Sequence, residues 1–248
     1  MDFLVNTNLN NMEPILELRH IGKSFNGVTV LEDVSFALKA GSITALFGEN
    51  GSGKTTLFHI VSGFLKAGKG EVLFKENYLN GKSAVEISRM GIGRVWQTPR
   101  VCKNLSVEDN LLLAVKDHPG ERVLNYIVRP RLIWKEERQS KEKAKVVVAD
   151  IGLAGKLGKT AGSLSFGQQK LLSIGMLLMN GADVLLMDEP FAGVNPMMID
   201  HISEVLTGLK QQGKTICMIE HNRTKAGAIA DISFLLVKGI IAEETLSA

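Results

Sequence analysis

Two cysteines, Cys102 and Cys217, stand far apart in a chain of 248 residues and form no CxxC pair. That excludes a disulfide scaffold and a cysteine metal centre, and it fits a reducing compartment. No run reaches about 18 clean apolar residues, so no membrane span is expected. The most apolar stretch, 171–187, is broken by Asn180 and Asp183. The opening MDFLVNTNLNN lacks the basic start and apolar core of a secretion signal. Residues 1–12 read as a flexible polar tail, and Met12, ahead of EPILELRHI, is a second candidate start. Neither sign of charge dominates: 29 Lys and Arg against 26 Asp and Glu leave +3. That balance neither demands nor excludes a nucleic acid or a membrane surface. There is no internal repeat and no long low-complexity linker.

What remains is the composition of a globular protein, with 45% hydrophobic and 22% charged residues. A chain of this mass buries about 70% of its extended surface, enough for a core without metal or disulfides. Short β-rich runs come first, at 15–18, 34–38, 43–47 and 71–74, separated by turns such as Asn26-Gly27 and Ala40-Gly41. A charged stretch with helical periodicity follows, from about 97 to 178. Apolar strand-like runs return at 184–187, 215–219 and 232–237, with an amphipathic pattern at 199–209 that reads as a crossover helix. Strand, helix, strand with short links predicts an α/β fold with a parallel sheet buried on both faces. The charge-dense piece 129–145 mixes signs and reads as a solvated helix face.

The run 43–47 leads directly into Gly48-Glu49-Asn50-Gly51-Ser52-Gly53-Lys54-Thr55, and a helix-compatible segment from Thr56 follows. This is the GxxxxGK[ST] phosphate loop in the strand, loop, helix setting it requires. Glycines let successive N–H groups turn inward around a phosphate, and the helix behind adds its positive end. Lys54 is expected to reach the β- and γ-phosphates as a point charge, and Thr55 to place its hydroxyl on Mg²⁺. The apolar strand 184–187 then ends in Asp188-Glu189-Pro190. Ligands of such sheets bind at the carboxyl ends of the strands. Asp188 is expected to hold Mg²⁺, and Glu189 to orient and deprotonate the attacking water. The adjacent glutamate favours hydrolysis of ATP over phosphoryl transfer to a small acceptor.

Leu164-Ser165-Phe166-Gly167-Gln168 resembles the LSGGQ signature of ABC-type ATPases, and further marks follow in that family's order. Gln97 resembles the glutamine loop, Ala192-Gly193-Val194-Asn195 the D-loop and His221 the switch histidine. Phe25, before the Asn26-Gly27 turn, resembles the aromatic that stacks on adenine. The strings FNGVTVLEDVSF, NGSGKTTLFHIVSGF, LSFGQQKLLSIG, DEPFAGVNP and IEHN resemble the ATP-binding subunits of branched-chain amino acid importers, a pattern shared with urea and short-amide importers. The resemblance covers the chain from about Glu13 onward. Departures are few: Phe166 replaces the middle glycine of the signature, Trp96 a phenylalanine, and Asn195 the D-loop aspartate.

The resemblance implies a P-loop NTPase core with a parallel sheet, an antiparallel β subdomain and an α-helical signature subdomain. Residues 13–96 and 180–248 are the expected nucleotide-binding core, and residues 97–179 the helical subdomain, within a single domain spanning 13–248. The implied cofactors are ATP and Mg²⁺. Gly48, Glu49, Asn50, Gly51, Ser52, Gly53, Lys54, Thr55, Thr56 and Phe25 are the implied ATP contacts of one chain. Ser165, Phe166, Gly167 and Gln168 are those offered to the ATP of a second chain. Lys54, Gln97, Glu189 and His221 carry catalysis, and Thr55, Gln97 and Asp188 the metal. The implied partners are integral membrane permease subunits, a second ATP-binding chain and, indirectly, a periplasmic or extracellular solute-binding protein. No nucleic acid is expected. The implied location is cytoplasmic, peripheral on the inner face of the cell membrane. The alternative is a soluble ABC ATPase not coupled to transport, a class that usually carries a coiled-coil insertion or tandem cassettes.

Overall fold

The computed structural model describes residues 14–116 and 130–244. The expected tail at 1–12 and Arg129 of the charged stretch lie outside them. The described chain forms one curled sheet of ten strands. The chain enters through β1 (Pro14–Phe25) and β2 (Val28–Lys39), a long antiparallel hairpin. Its turn is Asn26-Gly27, with φ of 48° and 82°, the pair of positive values that a tight hairpin turn demands. The sequence reading caught only 15–18 and 34–38 of these twelve-residue strands. Their outer parts are largely exposed, Ile21 and Leu31 being among the buried exceptions, and are interrupted by register shifts, with His20 at φ 53°. Apolar alternation therefore fades where the strand continues.

After β3 (Ile43–Phe47) come helix α1 (Lys54–Val61), then β4 (Lys69–Phe74) and β5 (Asn77–Tyr78). Helix α2 (Ala84–Met90) and β6 (Ile92–Val95) follow. Among the described residues the middle holds α3 (Val107–Leu113), α4 (Pro130–Asp150) and α5 (Phe166–Met179). The chain closes with β7 (Val184–Asp188), α6 (Pro196–Gln211), β8 (Thr215–Ile219), α7 (Arg223–Gly227), β9 (Ile232–Val237) and β10 (Ile240–Glu244). Strand order is β5-β4-β1-β2-β10-β9-β3-β8-β7-β6. The run β9-β3-β8-β7-β6 is wholly parallel, and β1, β2, β4 and β5 pair antiparallel.

Period-two alternation splits the core between the two faces of the parallel run. Ile43, Ala45, Phe47, Leu185, Met187, Ile216 and Met218 face one way, under helices α3 to α6. Leu46, Leu186, Cys217 and Ile219 face the other, against Leu57 and Phe58 of α1 and the antiparallel strands. Strands β3, β7 and β8 are buried at every position, which is why they read as unbroken apolar runs. Each such side chain contributes about 1.5–3 kcal/mol when fully buried. Helix α4 turns Ile133, Ala144, Val147 and Val148 inward and its lysines and glutamates to solvent. Cys217 is fully buried, and burial pushes its thiol up to about 12, so it is inert.

Candidate functional site

The carboxyl ends of β3, β7 and β8 meet at one cavity. The loop after β3 needs its glycines: Gly48, Gly51 and Gly53 have φ of 152°, 82° and 107°. A Cβ on Gly48 would stand 2.4 Å from the Leu236 carbonyl and 2.7 Å from Ser52 Oγ. Gly53 caps the N-terminus of α1 without a side-chain bond, leaving the first N–H groups of the helix to a ligand. Ser52 Oγ is buried and lacks a partner, a second polar group that a bound anion can satisfy. Lys54 crosses the loop, its Nζ donating to the carbonyls of Gly48 and Glu49 at 2.8 Å each. Burial lowers the Lys54 pKa, and Glu189 and Asp188 oppose that shift. Val30, residues 50–56, Glu189, Ile219 and His221 line a cavity of about 320 Å³. A larger hollow of about 590 Å³ lies against the other side of the loop. Its lining lacks Lys54, Thr55 and Glu189, so the smaller cavity is the candidate site.

Asp188 ends β7 beside Ile219 of β8 and is 8% exposed. Its Oδ2 accepts from Arg94 Nη2 of β6 at 2.6 Å, in a pair whose side chains are 3% and 11% exposed. Burial opposes the Arg94 charge and Asp188 supports it. The guanidinium also stacks 4.0 Å from the Trp96 ring centroid. Removing one member of a buried pair strands the other, so Arg94→Met is expected to cost about 3–5 kcal/mol. Chemical denaturation checks this, and an unchanged unfolding free energy would show that the pair adds nothing.

Glu189 follows at φ 48°, a left-handed conformation unusual for a residue with a side chain. Its carboxylate gathers the two other polar groups expected here. Gln97 Nε2 donates to Oε2 at 2.7 Å, and His221 Nε2 lies 3.2 Å from Oε1. The Glu189 and His221 side chains are 24% and 44% exposed, open to the cavity. A carboxylate between an amide and an imidazole, beside a phosphate cradle, can hold a water and take its proton. The oxygens of Thr55, Gln97 and Asp188 suit a hard divalent cation. Asp188 Oδ2 is committed to Arg94, leaving Oδ1 for such an ion.

The signature residues sit elsewhere. Ser165 and Gln168 form a capping box at the start of α5: Ser165 Oγ accepts from the Gln168 N–H and Gln168 Oε1 from the Ser165 N–H, at 3.3 and 3.2 Å. The helix begins at Phe166. Phe166 packs over Gly193, and Gly167 lies against Met198 and Val194. None of these four residues lines the cavity. Phe25 stands at the end of β1, 42% exposed and outside the cavity lining, so its ring is not core packing.

Three residues of the site escaped the sequence reading: Arg94, Lys170 and Glu220. Lys170 of α5 donates to the carbonyls of Glu189, Pro190 and Ala192. Glu220 accepts from the N–H groups of Phe191 and His221. Their shared signal is a charge lodged in an apolar run, as in IleGlyArgVal, LysLeuLeu and MetIleGlu.

Comparison with known proteins finds similarity over most of the chain. The profile of the ABC transporter family matches residues 31–192. A probable branched-chain amino acid transport ATP-binding protein LivG of Methanocaldococcus jannaschii is 37% identical over 92% of this chain and 89% of its own. Its counterpart in Archaeoglobus fulgidus is 36% identical over 93% of this chain and 88% of its own. The solved ADP conformation of an ATP-binding cassette of an ABC transporter superposes with a TM-score of 0.81 at 36% identity, covering 94% of this chain and 92% of that one.

Proposed function

The chain belongs to the ABC transporter family, and on that premise we propose that it is the ATP-hydrolysing subunit of an importer for branched-chain amino acids or related small polar solutes. One observation carries the hydrolytic part: Glu189, held between Gln97 and His221, opens into the same cavity as the phosphate loop. The substrate class rests on the LivG relatives.

In this reading residues 48–56 wrap the triphosphate, Lys54 neutralises its β- and γ-oxygens, and Phe25 stacks on adenine. Thr55, Asp188 and Gln97 would hold Mg²⁺, which would supply charge neutralisation at the phosphates. Glu189 takes the proton of a water whose oxygen bonds to the γ-phosphorus, while the β–γ bridging P–O bond breaks and ADP departs with the electron pair. His221 steadies the γ-oxygens and keeps Glu189 in aim. Two chains face each other, and Ser165, Phe166, Gly167 and Gln168 of one close over the ATP of the other. That arrangement explains why the signature lies outside its own chain's cavity. The Ser165–Gln168 capping bonds are then exchanged for bonds to a γ-phosphate at the N-terminus of α5.

Residues 13–96 and 180–248 form the nucleotide-binding core of this proposal, and residues 97–179 the helical unit that faces a permease. Among the described residues no helix is long and apolar enough to cross a membrane. On the importer reading we assign the chain to the inner membrane face, reached through permease subunits and linked through them to a solute-binding protein. Co-purification from gently solubilised membranes tests this. The expected product is a polytopic permease in complex with the tagged chain. Recovery of soluble partners only, with ATP hydrolysis intact, would replace the importer by a soluble ABC ATPase.

A further inference from the structure

The turn 189–192 carries the proposed base, and two buried charges bond to its backbone. Lys170, 2% exposed, extends its ammonium from α5 to three backbone carbonyls: Glu189 at 2.7 Å, Pro190 at 3.1 Å and Ala192 at 2.8 Å. Three N–H donors meet three acceptors, so the group is saturated. Glu220, 3% exposed, accepts from the Phe191 N–H through Oε1 at 2.7 Å and from the His221 N–H through Oε2 at 3.2 Å. One carboxylate thus ties the backbone behind Glu189 to the backbone of His221. Between the two charges, Glu189 is held at φ 48°, a conformation that persists only when its surroundings enforce it.

We propose that Lys170 and Glu220 are a two-charge clamp on residues 189–192, and that they are positioning residues that set the aim of Glu189 and His221 during ATP hydrolysis. The inference rests on the proposed roles of Glu189 and His221 and adds two residues that lie outside the lining of the candidate cavity. A buried lysine spent on backbone carbonyls is costly: burial pulls its pKa down to about 8, against the pull of Glu220 and Glu189. Burial likewise raises the Glu220 pKa, against the N–H groups it accepts from and against Lys170. Simple turn stability does not require two buried charges, since a turn can be closed by its own backbone, as the Ala192 N–H to Glu189 carbonyl bond does here. Holding two side chains in register across separate strands does require a rigid, bilateral grip. The clamp also starts from α5, five residues beyond Ser165, so one helix carries both the signature end and the grip on the base.

The test is steady-state ATP hydrolysis and nucleotide binding by the purified full chain and its Lys170→Met, Lys170→Arg and Glu220→Gln variants. Lys170→Met leaves three carbonyls without their donor and is expected to lower kcat on the order of 10- to 100-fold, the scale of a small misplacement of a reacting group. KM and ATP affinity are expected to stay near wild type, because the phosphate loop is untouched. Lys170→Arg keeps a charge with several donors and is expected to recover part of the loss. A role in stability alone would lower the melting temperature and leave kcat of the folded fraction unchanged, and that result overturns the clamp. Should Lys170→Met fail to fold, Lys170→Arg and Glu220→Gln decide: wild-type kcat in both overturns it, and a kcat loss at unchanged KM supports it. Glu189→Gln, measured alongside, separates the two layers. Full activity in Glu189→Gln overturns the base assignment, whereas an inactive Glu189→Gln beside a fully active Lys170→Met overturns the clamp alone.

Discussion

Glu189→Gln is expected to lower the ATP turnover number by about 10²- to 10⁴-fold, the contribution of a positioned general base. ATP affinity is expected to hold, because the Glu189 carboxylate bonds to Gln97 and His221 and donates nothing to a phosphate. The amide fits the same volume. Its oxygen can accept from Gln97 Nε2, now at 2.7 Å from Oε2, and its NH₂ can donate to a neutral His221, now at 3.2 Å from Oε1. The surroundings therefore survive, and what is lost is the carboxylate that takes the proton from water. A variant that binds but does not hydrolyse keeps the γ-phosphate, so it should also accumulate an ATP-bound dimer. Phosphate release, a nucleotide binding isotherm and size exclusion with ATP read the three effects separately. Turnover at the wild-type rate would remove Glu189 as the base, and monomers under saturating ATP would remove the face-to-face arrangement.

How much of this was legible in the sequence depends on where the information sits. The phosphate loop announces itself because its chemistry needs glycines at backbone positions that other residues cannot adopt, and φ of 82° and 107° at Gly51 and Gly53 is that need made visible. The parallel strands were legible because burial on both faces leaves an unbroken apolar run. The hairpin β1–β2 was only half legible, since exposed strand faces and bulges carry no apolar period. Arg94, Lys170 and Glu220 were illegible for another reason. Each is charged yet buried, and its meaning lies in a partner far along the chain: Asp188 for Arg94, and the carbonyls of Glu189, Pro190 and Ala192 for Lys170. A single sequence shows the charge but not the partner. The association of Gln97, Glu189 and His221 stands between these cases. Each was expected, Glu189 from the acidic end of its strand and Gln97 and His221 from resemblance, and their meeting on one carboxylate is a fact of three-dimensional packing.

Lys54→Ala is the second substitution with a large expected effect, and it acts one step earlier, on binding. The Lys54 residue is 6% exposed, and its ammonium lies across the loop on the carbonyls of Gly48 and Glu49. A triphosphate entering the cavity brings several negative charges to this cation, which burial has left poorly solvated. A hydrogen bond to a charged partner contributes about 1.5–3 kcal/mol, so one such bond is worth roughly 10- to 100-fold in affinity. ATP affinity is expected to fall by at least that order, and turnover to background, because the charge neutralised in binding is also the charge that develops toward the leaving ADP. The fold itself should lose little, since the β3 strand and α1 that flank the loop are held by Phe47, Leu57 and Phe58 in the core. Calorimetric titration with ATP, set beside the melting temperature without nucleotide, distinguishes a lost ligand contact from a lost fold. Normal turnover in this variant would show that the loop of residues 48–55 is not where the phosphates bind, and every role built on it, from Thr55 to Glu189, would have to be reassigned.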